Sequence, residues 1–211
     1  QPNEAQRSVL AKPIFPTKYT IVERTTANQP DQRAADVARQ KQPKDRNAYF
    51  GDIHVHTTYS FDAYAFGTVA TPDDAYRFAK GKPIKHPAGF DMQLKEPLDF
   101  YAVTDHGFFL GVAAVAADTT TDFSKYSFAS IMHDLNAPDN TGPFSVLDRM
   151  RAFGIGRRLA VAIVDGDLDL EEPLEITRSA WADSVRAADT HNDPGRFTTF
   201  VAYEYTSTTT D

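Results

Sequence analysis

The chain predicts an α/β fold, part of a β/α barrel of the TIM-like kind, and three observations predict it. Three short apolar runs, near residues 49–56, 99–104 and 197–204, read as strands of a buried sheet. Each run ends in side chains that bind protons or cations rather than pack: His54-Val55-His56, Asp105-His106 and Glu204. Segments with helical signals lie between the runs, and polar groups gathered at the C-terminal ends of parallel strands are where such barrels keep their sites.

The elements follow in order. Residues 1–46 predict an extended N-terminal arm, polar and broken by Pro2, Pro13, Pro16, Pro30 and Pro43, with at most a short helix over 31–40. The remaining residues, 47–211, predict one portion of a domain. Its first strand spans 49–56. Thr71-Pro72-Asp73-Asp74 marks a helix start, with Thr as N-cap, Pro in the first turn and acids beside it. That helix runs to Lys80 and ends at Gly81. Residues 82–96 predict a hairpin or a loop insertion turning at Pro87-Ala88-Gly89. The second strand, 99–104, delivers Asp105 and His106. Residues 108–117, 124–136 and 143–153 have helical potential, the last ending at a Gly154/Gly156 break. The clearest long helix spans 173–191, with Ile176, Ala180, Trp181, Val185 and Ala188 on one face. Asn192-Asp193-Pro194-Gly195 then turns the chain into the third strand.

Strand side chains alternate faces, so His54 and His56 point the same way, with Asp52 on that face but deeper. Converging imidazoles and carboxylates suit a divalent transition ion better than a hydrophobic core. The chain has no cysteine, so histidine and carboxylate are its metal-binding chemistry. Each residue also has a plainer reading. His54 and His56 could be hydrogen-bonded core histidines, Ser60-Phe61-Asp62 a solvated turn, and Glu204 a salt-bridged strand end. His86, His133 and His191 read as surface residues, Trp181 as core, and Tyr59 and Tyr205 as residues that could border a substrate.

His54-x-His56 with Asp62 six residues on, then Thr104-Asp105-His106, then Glu204, resembles the opening motifs of the polymerase and histidinol phosphatase (PHP) superfamily. The wording GDIHVHTTYSFDA, PLDFYAVTDHG and RFTTFVAYEYTS is similar to a large, mostly exported branch of unknown function, over residues 47–211. The resemblance implies a distorted β/α barrel and a metal-dependent phosphoesterase with two or three metal ions. It implies that His54, His56, Asp62, His106 and Glu204 are metal ligands, and that Asp105 is a ligand or orients a neighbouring histidine. Among these, His54, His56, His106 and Glu204 are also the residues expected to carry catalysis. The pattern continues past Glu204 with further histidines, so a complementary C-terminal fragment or second subunit is the expected partner.

The chemistry expected of that ligand set is hydrolysis of a small phosphate ester, a monoester or a diester. Nitrogen and carboxylate donors suit Zn, Mn or Fe ions. Two such ions about 3.5–4 Å apart would carry a hydroxide to phosphorus and polarise a phosphoryl oxygen. Glu204 is the natural bridge, having two oxygens. A sulfatase or phosphonate hydrolase would use the same cluster, and a metal-binding domain without catalysis is the non-enzymatic alternative. No Gly-x-Ser-x-Gly elbow is present for a serine nucleophile. With 22 basic and 29 acidic residues the net charge is −7, which gives no electrostatic footprint for nucleic acid. No apolar run approaches the ~20 residues of a membrane span. A chain starting at Gln1 fits removal of a leader, hence a periplasmic or secreted protein, with a cytoplasmic one as the alternative.

Overall fold

Strand β1 (Gly51–Asp52) is followed by helices α1 (Phe61–Ala65) and α2 (Pro72–Ala79). A hairpin of β2 (Ile84–Lys85) and β3 (Asp91–Met92) leads into the central strand β4 (Phe100–Val103). Then come α3 (Val112–Ala117), two 3-10 segments (Phe123–Lys125 and Ser127–Met132), α4 (Ser145–Ala152), α5 (Ile155–Asp165), the long α6 (Glu171–His191) and β5 (Thr198–Val201). This computed structural model describes residues 47–140 and 145–206. The expected arm over 1–46, its helix over 31–40, and the loop beyond Thr206 lie outside the described residues.

The molecule is mixed α/β, with a small parallel sheet in the order β1-β4-β5. Gly51 pairs with Phe100, and Phe100 through Val103 pair with Thr198 through Val201. Among the described residues the sheet stays open and no barrel closes. Helices α2 and α6 cover one face: Tyr76, Ala79, Ala187 and Ala188 pack on Tyr101 and Val103. A second core, built by α3, the 3-10 segments and α5, centres on Val112, Met132, Ile155 and Leu159. No helix among the described residues is long and apolar enough to cross a membrane.

Local chemistry explains most boundaries. Thr71 Oγ1 accepts the Asp74 N–H while the Asp74 carboxylate accepts the Thr71 N–H, a reciprocal cap that starts α2. The chain leaves α2 through Gly81 at φ +73°, and the β2–β3 hairpin turns through Gly89 at φ +91°. At Gly51 the reason for glycine is space: a Cβ there would lie 2.3 Å from the Phe100 carbonyl oxygen.

Three expectations need correction, and one helix was not expected. The first regular strand is two residues long, not eight, because the Asp52 carboxylate takes the His54 N–H (2.9 Å) out of the ladder. Contact with β4 resumes through Thr104, whose hydroxyl accepts the Val55 N–H (2.9 Å) and whose N–H donates to the Val55 carbonyl (2.7 Å). Residues 124–136 form 3-10 turns rather than an α-helix. Helix α5 went unforeseen, although Ile155, Leu159 and Ala162 recur at helical spacing and are its buried residues. On α6, Trp181 and Val185 are only half-buried, and Pro173, Ala180, Ala187 and Ala188 do the burying.

Candidate functional site

The departure of residues 53–56 from the ladder turns His54 and His56 toward the end of β4. Their rings lie 5.2 Å apart, and His56 meets His106 edge-on at 4.8 Å. The β4–β5 register continues past the strands as a parallel bridge between His106 and Glu204. That bridge is held by Glu204 N–H to the Asp105 carbonyl (3.0 Å) and Gly107 N–H to the Glu204 carbonyl (3.1 Å). Asp62 arrives from the first turn of α1.

Five of the six expected residues therefore converge. His54 Nε2 and His56 Nε2 lie 3.1 and 2.8 Å from the same oxygen, Glu204 Oε2. His106 stands between the carboxylates, 3.4 Å from Asp62 Oδ2 and 3.8 Å from Glu204 Oε1. Two subsets have ligand atoms close enough for one ion each: His54, His56 and Glu204, and His56, Asp62 and His106. Four ligands about 2.1 Å from an ion would stand ~3.4 Å apart, and the separations here bracket that value. The centre is open at one side, where the His54 side chain is 72% exposed, and closed at the other, where His106 is 14% exposed.

Asp105 does not join them. It is buried, and both its oxygens are taken by Thr57, one by the N–H and the other by the hydroxyl at 2.6 Å. Burial, only partly offset by those bonds, pushes its carboxyl above the ordinary range. Its partner is thus the loop after His56 rather than a histidine ring. Asp52 also stays outside, occupied with the His54 backbone.

Burial alone would raise Asp62 as well, but the Ser60 hydroxyl, the Ala63 N–H and the two imidazoles hold it below its usual value. Glu204 is lowered likewise: desolvation opposes, and His106, His54 and His56 outweigh it.

Ser60 and Thr206 were not foreseen. Ser60 is fully buried, so the segment is no solvated turn. Its Oγ donates to Asp62 Oδ1 (2.7 Å), accepts the His106 N–H (3.2 Å) and touches His56 Nδ1 (2.9 Å). Thr206 Oγ1 lies 2.7 Å from His106 Nδ1. The only early signal for Ser60 was its place between two site residues in sequence. The remaining histidines sit apart. His191 is not a surface residue: its side chain is 13% exposed, stacks on Tyr76 and bonds Asp73 at 2.7 Å. His133 Nε2 lies 3.1 Å from the Ser124 carbonyl, and His86 stacks on Phe90. Tyr59 is bound to Asp183 (2.9 Å), Tyr205 is 76% exposed, and Trp181 meets Tyr203 edge-on.

A family model described as "Protein of unknown function (DUF3604)" matches residues 43–211. No curated protein and no solved structure matches the chain.

Proposed function

We propose, from the premise that this chain belongs to the DUF3604 family of unknown function, that it is a divalent-cation-dependent phosphoesterase of the PHP kind. On this reading the small parallel sheet is one part of a distorted β/α barrel, and the cluster lies at its C-terminal rim. One observation carries the reading. Asp62, held ionised, can only accept, so the single Ser60 proton points to it. Toward His56 Nδ1 the Ser60 oxygen is then an acceptor, so Nδ1 carries a proton and Nε2 is the atom that faces Glu204 Oε2 at 2.8 Å. Two acceptors that close need a cation or a proton between them.

His54, His56 and Glu204 would hold one cation, and Asp62 and His106 a second. When bound, such ions neutralise charge on a phosphoryl oxygen and make water acidic enough to serve as a nucleophile at neutral pH. The chain's own residues supply the frame. Ser60 sets the His56 tautomer, as partners of a ligating imidazole do. Asp105 fixes the loop carrying His56 through Thr57. The exposed His54 edge leaves room for a phosphate to enter. Hydrolysis breaks the bond from phosphorus to the leaving oxygen, forms one to a water oxygen, and returns a proton to the leaving alcohol.

The test is elemental analysis of the purified chain together with turnover of aryl phosphate mono- and diesters and an aryl sulfate. The expected result is Mn, Zn or Fe bound in at least one equivalent, phosphate ester turnover, and loss of both in folded His54→Ala. Undiminished turnover in that variant, or no turnover with cation bound, rejects the reading; faster sulfate release makes the enzyme a sulfatase.

A further inference from the structure

Beside the polar cluster runs a row of phenylalanine rings that the chemistry above leaves unused. The Phe61 ring stacks on the His106 imidazole, with centroids 5.1 Å apart and planes 29° from parallel. Phe153 meets Phe61 at 5.7 Å, and Phe66 meets Phe153 at the same distance. The row opens as it leaves the cluster: Phe61 is half-buried, Phe153 is 44% exposed and Phe66 57% exposed. Phe153 and Phe66 touch each other and belong to neither core, and Val146, Leu147 and Met150 on α4 are exposed as well. An apolar wall that begins at convergent polar groups is how ligand sites are lined.

The wall is held in place. Arg149 on α4 donates to the Ala65 carbonyl (3.0 Å), to Asn136 Oδ1 (2.9 Å) and to the Leu135 carbonyl (3.1 Å). Asn136 Nδ2 donates in turn to the Tyr64 carbonyl (2.9 Å). These bonds tie the end of α1, which precedes Phe66, to the helix that precedes Phe153. The two exposed rings therefore keep their spacing without a core around them. Phenyl rings offer neither donors nor acceptors, so they favour an apolar group, and an aromatic ring over an aliphatic chain because ring pairs add stacking to the area they bury.

We infer that Phe61, Phe153 and Phe66 form a leaving-group wall, and that the substrates of this site are esters whose alcohol part carries an aromatic ring. The inference rests on the phosphoesterase reading: the phosphate sits at the imidazole and carboxylate cluster, and the ring lies along the phenylalanines. Phe61 contacts both the cluster and the wall, so it sets the angle between them.

The full chain, loaded with Mn²⁺, is titrated calorimetrically with benzylphosphonate and butylphosphonate, which cannot be hydrolysed. Turnover of benzyl phosphate and butyl phosphate, esters of alcohols of similar acidity, is measured in parallel. Benzylphosphonate is expected to bind about tenfold more tightly than butylphosphonate, the scale of a well-stacked ring pair. In Phe153→Leu and Phe66→Leu, which keep apolar bulk, that ratio falls toward one. Equal affinities in the unaltered protein, no binding of either phosphonate, or an unchanged ratio in both variants overturns the wall. Failure of both esters to turn over rejects the phosphoesterase instead, and the phosphonate ratio still judges the wall. Turnover with a ratio of one rejects the wall and leaves the phosphoesterase standing.

Discussion

Ser60 Oγ touches three partners at once, Asp62, His56 and the His106 backbone, and no water reaches it. Ser60→Ala leaves the His106 N–H without its partner and removes one donor from Asp62 Oδ1, which keeps the Ala63 N–H. Denaturant unfolding is expected to show a loss of about 1–3 kcal/mol, and cation affinity is expected to fall as His56 loses its tautomer. A variant as stable as the parent would refute this account of the hydroxyl. Tyrosine ionisation provides a second residue-scale measurement. Burial, reinforced by the hydrogen bond to Asp183, pushes Tyr59 up to about 12, and burial does the same for Tyr101. Both folded values lie above the unfolded one, so the stability gained by keeping the phenols neutral is complete below pH ~10. It is lost as pH rises through about 12. Tyr64, Tyr76 and Tyr126 are raised as well, so spectrophotometric titration should show Tyr59 and Tyr101 among several late phenols that ionise together with unfolding, and one late phenol fewer in Tyr59→Phe.

At the scale of elements, the short first strand is what turns its histidines toward a common point. Had residues 49–56 run as one regular strand, His54 and His56 would stand in the ladder beside β4, whereas the Asp52 and Thr104 side chains replace ladder partners and let the segment bend. Gly51 pairs with Phe100 of β4 and has no room for a Cβ. Gly51→Ala puts a methyl against Phe100 and is expected to destabilise the unit by about 1–3 kcal/mol, the scale of overpacking, and to loosen the histidine pair; thermal melting checks it. The reciprocal cap on α2 gives a milder case: Thr71→Ala should cost about 1 kcal/mol and leave the site intact. The two-residue strand was not legible beforehand, because a side chain competing with the ladder leaves the apolar pattern unchanged. The hairpin at Gly89, the α2 cap and the turn at Gly195 were legible, since each depends on local chemistry that a short window contains.

Across the whole molecule, helices α2 and α6 shield one face of the parallel sheet, while Ile53, just past β1, and Phe200 and Val201 on β5 stay exposed. Cation binding is expected to stabilise the entire unit, because the five ligand-type residues come from three strand ends and one helix that are distant in sequence. At a cation concentration about 100-fold above Kd the gain is ~2.7 kcal/mol. A rise in Tm on adding Mn²⁺, reversed by chelator and absent in His56→Ala, is the expected outcome; an equal rise in that variant would place the ion elsewhere.

The order of residues alone picks out the α/β alternation, the capped and glycine-ended helix and the five residues that gather, with Asp105 wrongly added to them, because each signal is written in neighbours a few positions apart. The bend after Asp52, the burial of Ser60, the withdrawal of Asp105 onto Thr57 and the ring row leading from His106 were decided only by tertiary structure. Apart from the bend, which Asp52 makes with His54 two residues on, these depend on which partner a polar or aromatic group finds across 40 to 150 residues of intervening chain. No local pattern encodes that choice. It is settled when the sheet register brings His106 level with Glu204 and the loop after His56 closes over them.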